Sequence, residues 1–172
     1  MSLTLINKEL LEDNDCFGCG HVNEHGLKIA VFRDSEDDTR LLGRLDAKTH
    51  MTGFPGMMHG GVIYTALDCL SSWVPTILLA EIRAAWVLRS ANIKYLRPIL
   101  GTKPIDLSAK IEASVPAWQA VSVQAEARNA SGKLLVSGRF KMVPLSLDRF
   151  KNVAGLDELP LNWQRLLGET QA

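Results

Sequence analysis

The chain has 172 residues, 47% of them hydrophobic, and its 19 basic residues balance 19 acidic ones to a formal net charge of zero. That length fits one domain with a tail and supports a sizeable core, while the charge balance argues against a general nucleic-acid or membrane-surface binder. No run reaches the ~18 continuous apolar residues of a membrane span, and three cysteines do not make a disulfide framework. The acidic start MSLTLINKELLEDNDC does not read as a signal peptide, so a cytoplasmic protein is expected. A near-neutral charge also favours self-association.

The first fifteen residues predict a short amphipathic helix with Leu5, Ile6, Leu10 and Leu11 on one side. CFGCGHVNEHGL follows as a glycine-rich loop, and LKIAVFRD and RLLGRLDA read as strands joined by the acidic turn DSEDDT. After the turn GFPGMMHGG, Val62, Ile63, Ala66, Leu67 and Leu70 recur at helical spacing. Pro75 is expected to kink or end this helix, with TILLAEI adding a turn or two.

AAWVLRSANIKYLRPI then makes a long strand closed by Pro98. IDLSAKIEA alternates strictly, with Ile105, Leu107, Ala109, Ile111 and Ala113 apolar. VSVQAEAR does the same through Val121, Val123, Ala125 and Ala127, and VSGRFKMV through Val136, Phe140 and Met142. Such strands form an antiparallel sheet with one dry face, and the only substantial cover for it is the long helix. The expected fold is therefore α+β, five to six antiparallel strands around one central helix. Residues 1–26 hold the N-terminal helix and glycine-rich loop, 27–145 the main domain and 146–172 a helical tail.

On a helix starting at Gly60, Asp68 falls opposite the apolar stripe, flanked by Tyr64, Thr65, Ser71 and Ser72. Thr65 and Ser72 lie three before and four after it, within meeting distance. A solvated face normally carries Lys, Glu or Arg, and this helix has none between His59 and Glu81. A half-buried face with one carboxylate is expected, and that carboxylate is a candidate base or nucleophile. Gly60 and Gly61 stand at the helix start, where N–H groups lack intrahelical partners and the dipole favours negative charge. Donors there and an acid two to three turns along would suit a thioester carbonyl whose oxygen becomes negative during acyl transfer to water.

Other groups compete for attention. Cys16 and Cys19 have zinc-like spacing, but adding His21 and His25 crowds all four ligands into ten residues without the usual distant pair. They read as packing cysteines, Cys69 as a core residue, and no metal is expected. Arg89, Lys94, Arg97 and Lys103 cluster near the strand after the helix, where they make either a wet strand face or a phosphate site.

PGMMHGGVIYTALDCL resembles the active-site helix of the hotdog-fold acyl-CoA thioesterases, in which an acid follows the second glycine of H-G-G by seven residues. CFGCGHVNEHGLKI is similar to a GCG…N…GL segment of one branch, and NIKYLRPI resembles the strand after the helix. The resemblance, of the phenylacetate or 4-hydroxybenzoyl-CoA type, runs over roughly residues 16–145. It implies a curved sheet around the helix, a homodimer or dimer of dimers with sites at the subunit interface, and hydrolysis of an acyl-CoA to an acid and free CoA. No cofactor is implied beyond the coenzyme A of the substrate. Asp68 would be base or nucleophile, Gly61 with Gly60 would polarise the carbonyl, and His59 would orient the site. Met58, Tyr64, Thr65, Ser72, Arg89 and Arg97 are the implied substrate-binding residues, with Trp73 and Trp86 as further pocket candidates.

Two positions depart from the family pattern. Gly53 stands where many members carry Asn or Gln, and Leu88 where many carry Ser or Thr. The departures leave open a non-catalytic acyl-CoA binding protein of the same fold. An acyl dehydratase is the weaker alternative, because the helix has no histidine past its first turn.

Overall fold

The computed structural model describes residues 5–113 and 116–168; the ends of the predicted N-terminal helix and tail, 1–4 and 169–172, lie outside them. Helix α1 (Ile6–Leu10) is a little over one turn long. What anchors it is Asn7, which donates to the carbonyls of Cys19 (2.7 Å) and Ile29 (2.9 Å) and accepts the Val31 N–H (3.1 Å). Ile6 and Leu11 are buried, but Leu10 is 41% exposed. The helix stops at Leu10, so the expected four-residue apolar stripe has no second turn to continue on.

Strands β1 (Ala30–Arg33) and β2 (Arg40–Leu45) form the predicted hairpin, with Asp34 and Arg40 paired across its acidic turn. β1 starts three residues later than LKIAVFRD implies. Lys28 adopts φ 54, which breaks the extended run, and Leu27 and Ile29 instead donate to Phe17 and Gly18 carbonyls of the glycine-rich loop.

Helix α2 (Gly60–Leu78) runs through Pro75 and ends one turn beyond it, where Leu79 donates to the Pro75 carbonyl. So close to the C-terminus the missing N–H costs a single helical bond. Ile63, Ala66, Leu67, Leu70, Trp73 and Val74 are buried, while Val62 is half-buried. By length and composition α2 is apolar enough to cross a bilayer, but its stripe is covered by the sheet, against which it packs along β2 to β6.

After a short 3-10 turn come β3 (Ala85–Tyr95), β4 (Ile105–Ile111), β5 (Val121–Asn129) and β6 (Leu134–Leu145). The six strands are antiparallel throughout in the order β1-β2-β4-β5-β6-β3. Insertion of α2 and β3 between β2 and β4 sends β3 to the far edge, where its outer side has no partner strand among the described residues. The alternation expected for β4, β5 and β6 is present, except that β4 stops at Ile111, which is half-buried, and Ala113 is exposed. Between Leu88 and Ser90 the β3–β6 register slips, which makes Arg89 a bulge residue.

The tail forms α3 (Leu147–Ala154), capped by Ser146, and α4 (Leu161–Leu167). They fold back on the start of β3 in a small cluster built around Ala85, Leu159 and Leu167.

Candidate active site

The segment before α2 is set by backbone bonds. Met57 N–H closes a turn on Phe54 O (2.8 Å), Gly53 N–H bonds Met57 O (2.9 Å), and Met58 N–H bonds Ile99 O (2.9 Å). Gly53 has a steric reason. A Cβ there would lie 3.1 Å from the His59 Cα and 3.2 Å from its ring, so a side chain at 53 would force the helix cap to move.

His59 is that cap. It is exposed, extended at φ −66 and ψ 133, and its Nδ1 accepts the Gly61 N–H at 2.9 Å. The donor expected at Gly61 is thereby already engaged, which corrects the reading of Gly61 as a free donor. Gly60 N–H, among the described residues, has no partner. Its carbonyl accepts from Tyr95 Oη at 3.1 Å, a tie from the end of β3 to the helix start that residue spacing did not reveal.

Asp68 is half-buried, as expected for that face. Its expected partners are turned elsewhere: Thr65 Oγ1 donates to Gly61 O (2.9 Å) and Ser72 Oγ to Cys69 O (2.9 Å). Hydroxyls on a helix readily bond the carbonyl three or four residues back. Ser71, also placed on that face, is fully buried, and among the described residues its hydroxyl has no hydrogen-bond partner. Tyr64 leans inward, its ring 5.9 Å from that of Phe140. Among the described residues Asp68 therefore has no hydrogen bond or ion pair. Burial, and secondarily the Cys16 sulfur nearby, pushes its carboxyl above the usual carboxylate range.

Gly60 and Asp68 are eight residues apart on one helix, a rise of roughly 12 Å at about 1.5 Å per residue. An Asp side chain leaning toward the N-terminus recovers only about 2–3 Å of that. Within one chain the two groups therefore stand about 9–10 Å apart along the helix axis, too far for both to touch one carbonyl group directly.

The glycine-rich loop lies over α2 beside the acid. Gly18 sits so close that a Cβ would be 2.1 Å from Cys69 Sγ and 3.5 Å from Thr65 Cγ2. From there a cavity of about 180 Å³ runs under the tail, bounded by Ser72, Trp73, Trp86, Phe150, Trp163 and Leu166, with the three cysteines at its loop end. Trp73 and Trp86 thus line a pocket as expected, whereas Tyr64 and Met58 do not border this one. The tail's share of the lining carried no signal in the sequence.

The cations separate. Arg97 and Lys103 share a groove of about 690 Å³ with Lys133, and Arg97 Nη1 donates to Leu134 O there (2.7 Å). Lys94 lies in a different depression beside Glu112 and Arg139. Arg89 is exposed at the bulge and borders neither.

No family model and no curated protein matches the chain. Solved structures do. A thioesterase from Haemophilus influenzae superposes with a TM-score of 0.68 at 20% identity, over 86% of this chain and 94% of that one. The E. coli PaaI protein from the phenylacetic acid degradation operon gives 0.59 at 18%, over 70% and 81%. A hypothetical thioesterase from Streptococcus pneumoniae, solved with coenzyme A, gives 0.56 at 17%, over 63% and 80%. The chain has the hotdog fold. In hotdog terms α2 is the central helix and β3 an edge of the sheet, and the tail roofs one end of the helix.

Proposed function

We propose that this protein hydrolyses acyl-CoA thioesters as a homodimer, with each site assembled from two copies. The observation that carries the reading is Asp68: a half-buried carboxylate that, among the described residues, has no hydrogen bond or ion pair, on a helix whose first N–H is likewise without one. A water deprotonated by Asp68 attacks the thioester carbon. The carbonyl oxygen becomes negative against the Gly60 N–H, and the C–S bond breaks as the CoA sulfur takes the proton back. Direct attack by the carboxylate, followed by hydrolysis of the anhydride, gives the same products.

The helix rise supports the two-chain site. If Gly60 and Asp68 are about 12 Å apart in one copy, donor and acid converge on one carbonyl when they come from different copies. The unpaired edge of β3 offers the means, since an open 11-residue edge strand is a template for continuing the sheet. In this arrangement the groove of Arg97, Lys103 and Lys133 receives phosphates of CoA. The aromatic cavity beyond Ser72 receives the acyl group.

The solved relative bound to coenzyme A supports a CoA ligand on this fold. The structure from Streptococcus mutans bound to acetyl CoA, at a TM-score of 0.56 and 17% identity, does likewise. The test is thiol release across a panel of short, medium, long and aryl acyl-CoAs. Turnover of at least one class is expected. Thermal stabilisation by acyl-CoA with no thiol released from any of them would instead establish the binding-protein reading that Gly53 and Leu88 leave open.

A further inference from the structure

The structure brings together three sulfurs from two segments that lie far apart in sequence. Cys16 and Cys19 come from the glycine-rich loop and Cys69 from α2, and their Sγ atoms all lie within 4.8 Å of one another. Cys16 Sγ and Cys69 Sγ are 3.7 Å apart. Tetrahedral zinc with Zn–S bonds of about 2.3 Å holds its sulfurs roughly 3.8 Å apart. The distant ligand missing from a reading of Cys16, Cys19, His21 and His25 is thus present, and it is Cys69 rather than a histidine.

The surroundings suit thiolates. Cys19 Sγ is approached by Trp73 Nε1 (3.3 Å) and Asn14 Nδ2 (3.5 Å). An indole N–H can only donate, so this sulfur is held as an acceptor. Outer-shell donors of this kind orient metal-bound ligands. The loop is built for close approach: Gly20 N–H bonds Cys16 O at 2.8 Å, and Gly18 leaves no room for a side chain over Cys69. All three sulfurs border the cavity under the tail, which leaves a fourth position open to water.

We propose that Cys16, Cys19 and Cys69 bind one Zn²⁺ that clamps the glycine-rich loop onto α2. Three thiolates select zinc over the harder magnesium and calcium ions. Binding releases the thiol protons to solvent and involves no change of oxidation state. Because the ligands come from segments fifty residues apart in the chain, metal binding stabilises the folded state in preference to the unfolded one.

The experiment is elemental analysis of the full chain, purified under reductant and then exposed to zinc and desalted, together with the absorption spectrum after cobalt substitution. One equivalent of zinc is expected, with thiolate-to-cobalt charge transfer and the d–d bands of a tetrahedral site. Cys69→Ser should lose at least 90% of the metal, and the control variants His21→Ala and His25→Ala should keep it. A melting temperature that rises with zinc in wild type but not in Cys69→Ser supports the clamp even if that variant is weakened. Less than a tenth of an equivalent in wild type would overturn the proposal. So would zinc retained by Cys69→Ser, or a disulfide among the three cysteines in place of metal.

Discussion

If each site draws its donor from one copy and its acid from the other, two inactive variants should restore each other. Asp68→Asn removes the acid. Gly60→Pro removes the N–H donor with little other disturbance: position 60 opens the helix, where proline is tolerated, and His59 already has the extended backbone a following proline requires. A Cβ at 60 meets the Tyr95 ring at an ordinary 3.4 Å. Unfolded together in equal amounts and refolded, the variants reassort at random, so about half the dimers are mixed and one of the two sites in each is intact. Thiol release should then reach about a quarter of the wild-type specific activity, from a near-zero background in either variant alone. The assay is CoA release from the preferred substrate, with sedimentation to verify that dimers re-formed. Activity that stays at background in a verified mixed dimer would refute the two-chain site, and with it the reasoning from helix rise.

Ser71→Ala should stabilise the protein by about 1 kcal/mol, because the buried hydroxyl has no partner and its removal ends a desolvation cost; urea unfolding gives the sign, and an equal loss would reveal an unrecognised bond. Gly18→Ala should destabilise the metal-free protein by about 1–3 kcal/mol through the clash with Cys69 Sγ. The same substitution in a Cys69→Ala background should cost clearly less, a coupling read from the double-mutant cycle. Trp163→Ala should enlarge the cavity under the tail and raise kcat/KM for longer acyl chains relative to shorter ones by about tenfold. An unchanged chain-length profile would place the acyl group elsewhere.

Much of the fold was legible because it rests on local periodicity. The two-residue alternation of β5 survives intact as Val121, Val123, Ala125 and Ala127, all fully buried, and the α2 stripe from Ile63 to Leu70 does too. Elements failed at their ends, where a single backbone angle decides: φ 54 at Lys28 shortens β1, and the early stop of α1 exposes Leu10. The site was legible in composition but not in pairing. Thr65 and Ser72 stand where a helical wheel puts them, yet their hydroxyls find backbone carbonyls before the carboxylate. His59 likewise takes the Gly61 N–H. Juxtapositions that close over fifty residues, such as Cys16 with Cys69 or the tail and Trp86 around one cavity, leave no periodic trace in the chain.

The most direct test of the account is free thiol released from acyl-CoA by wild type and by Asp68→Asn, side by side and matched for folding by circular dichroism. Turnover by wild type is expected, with a fall in kcat of about 100-fold or more in the variant. Equal turnover by the two proteins would contradict the account.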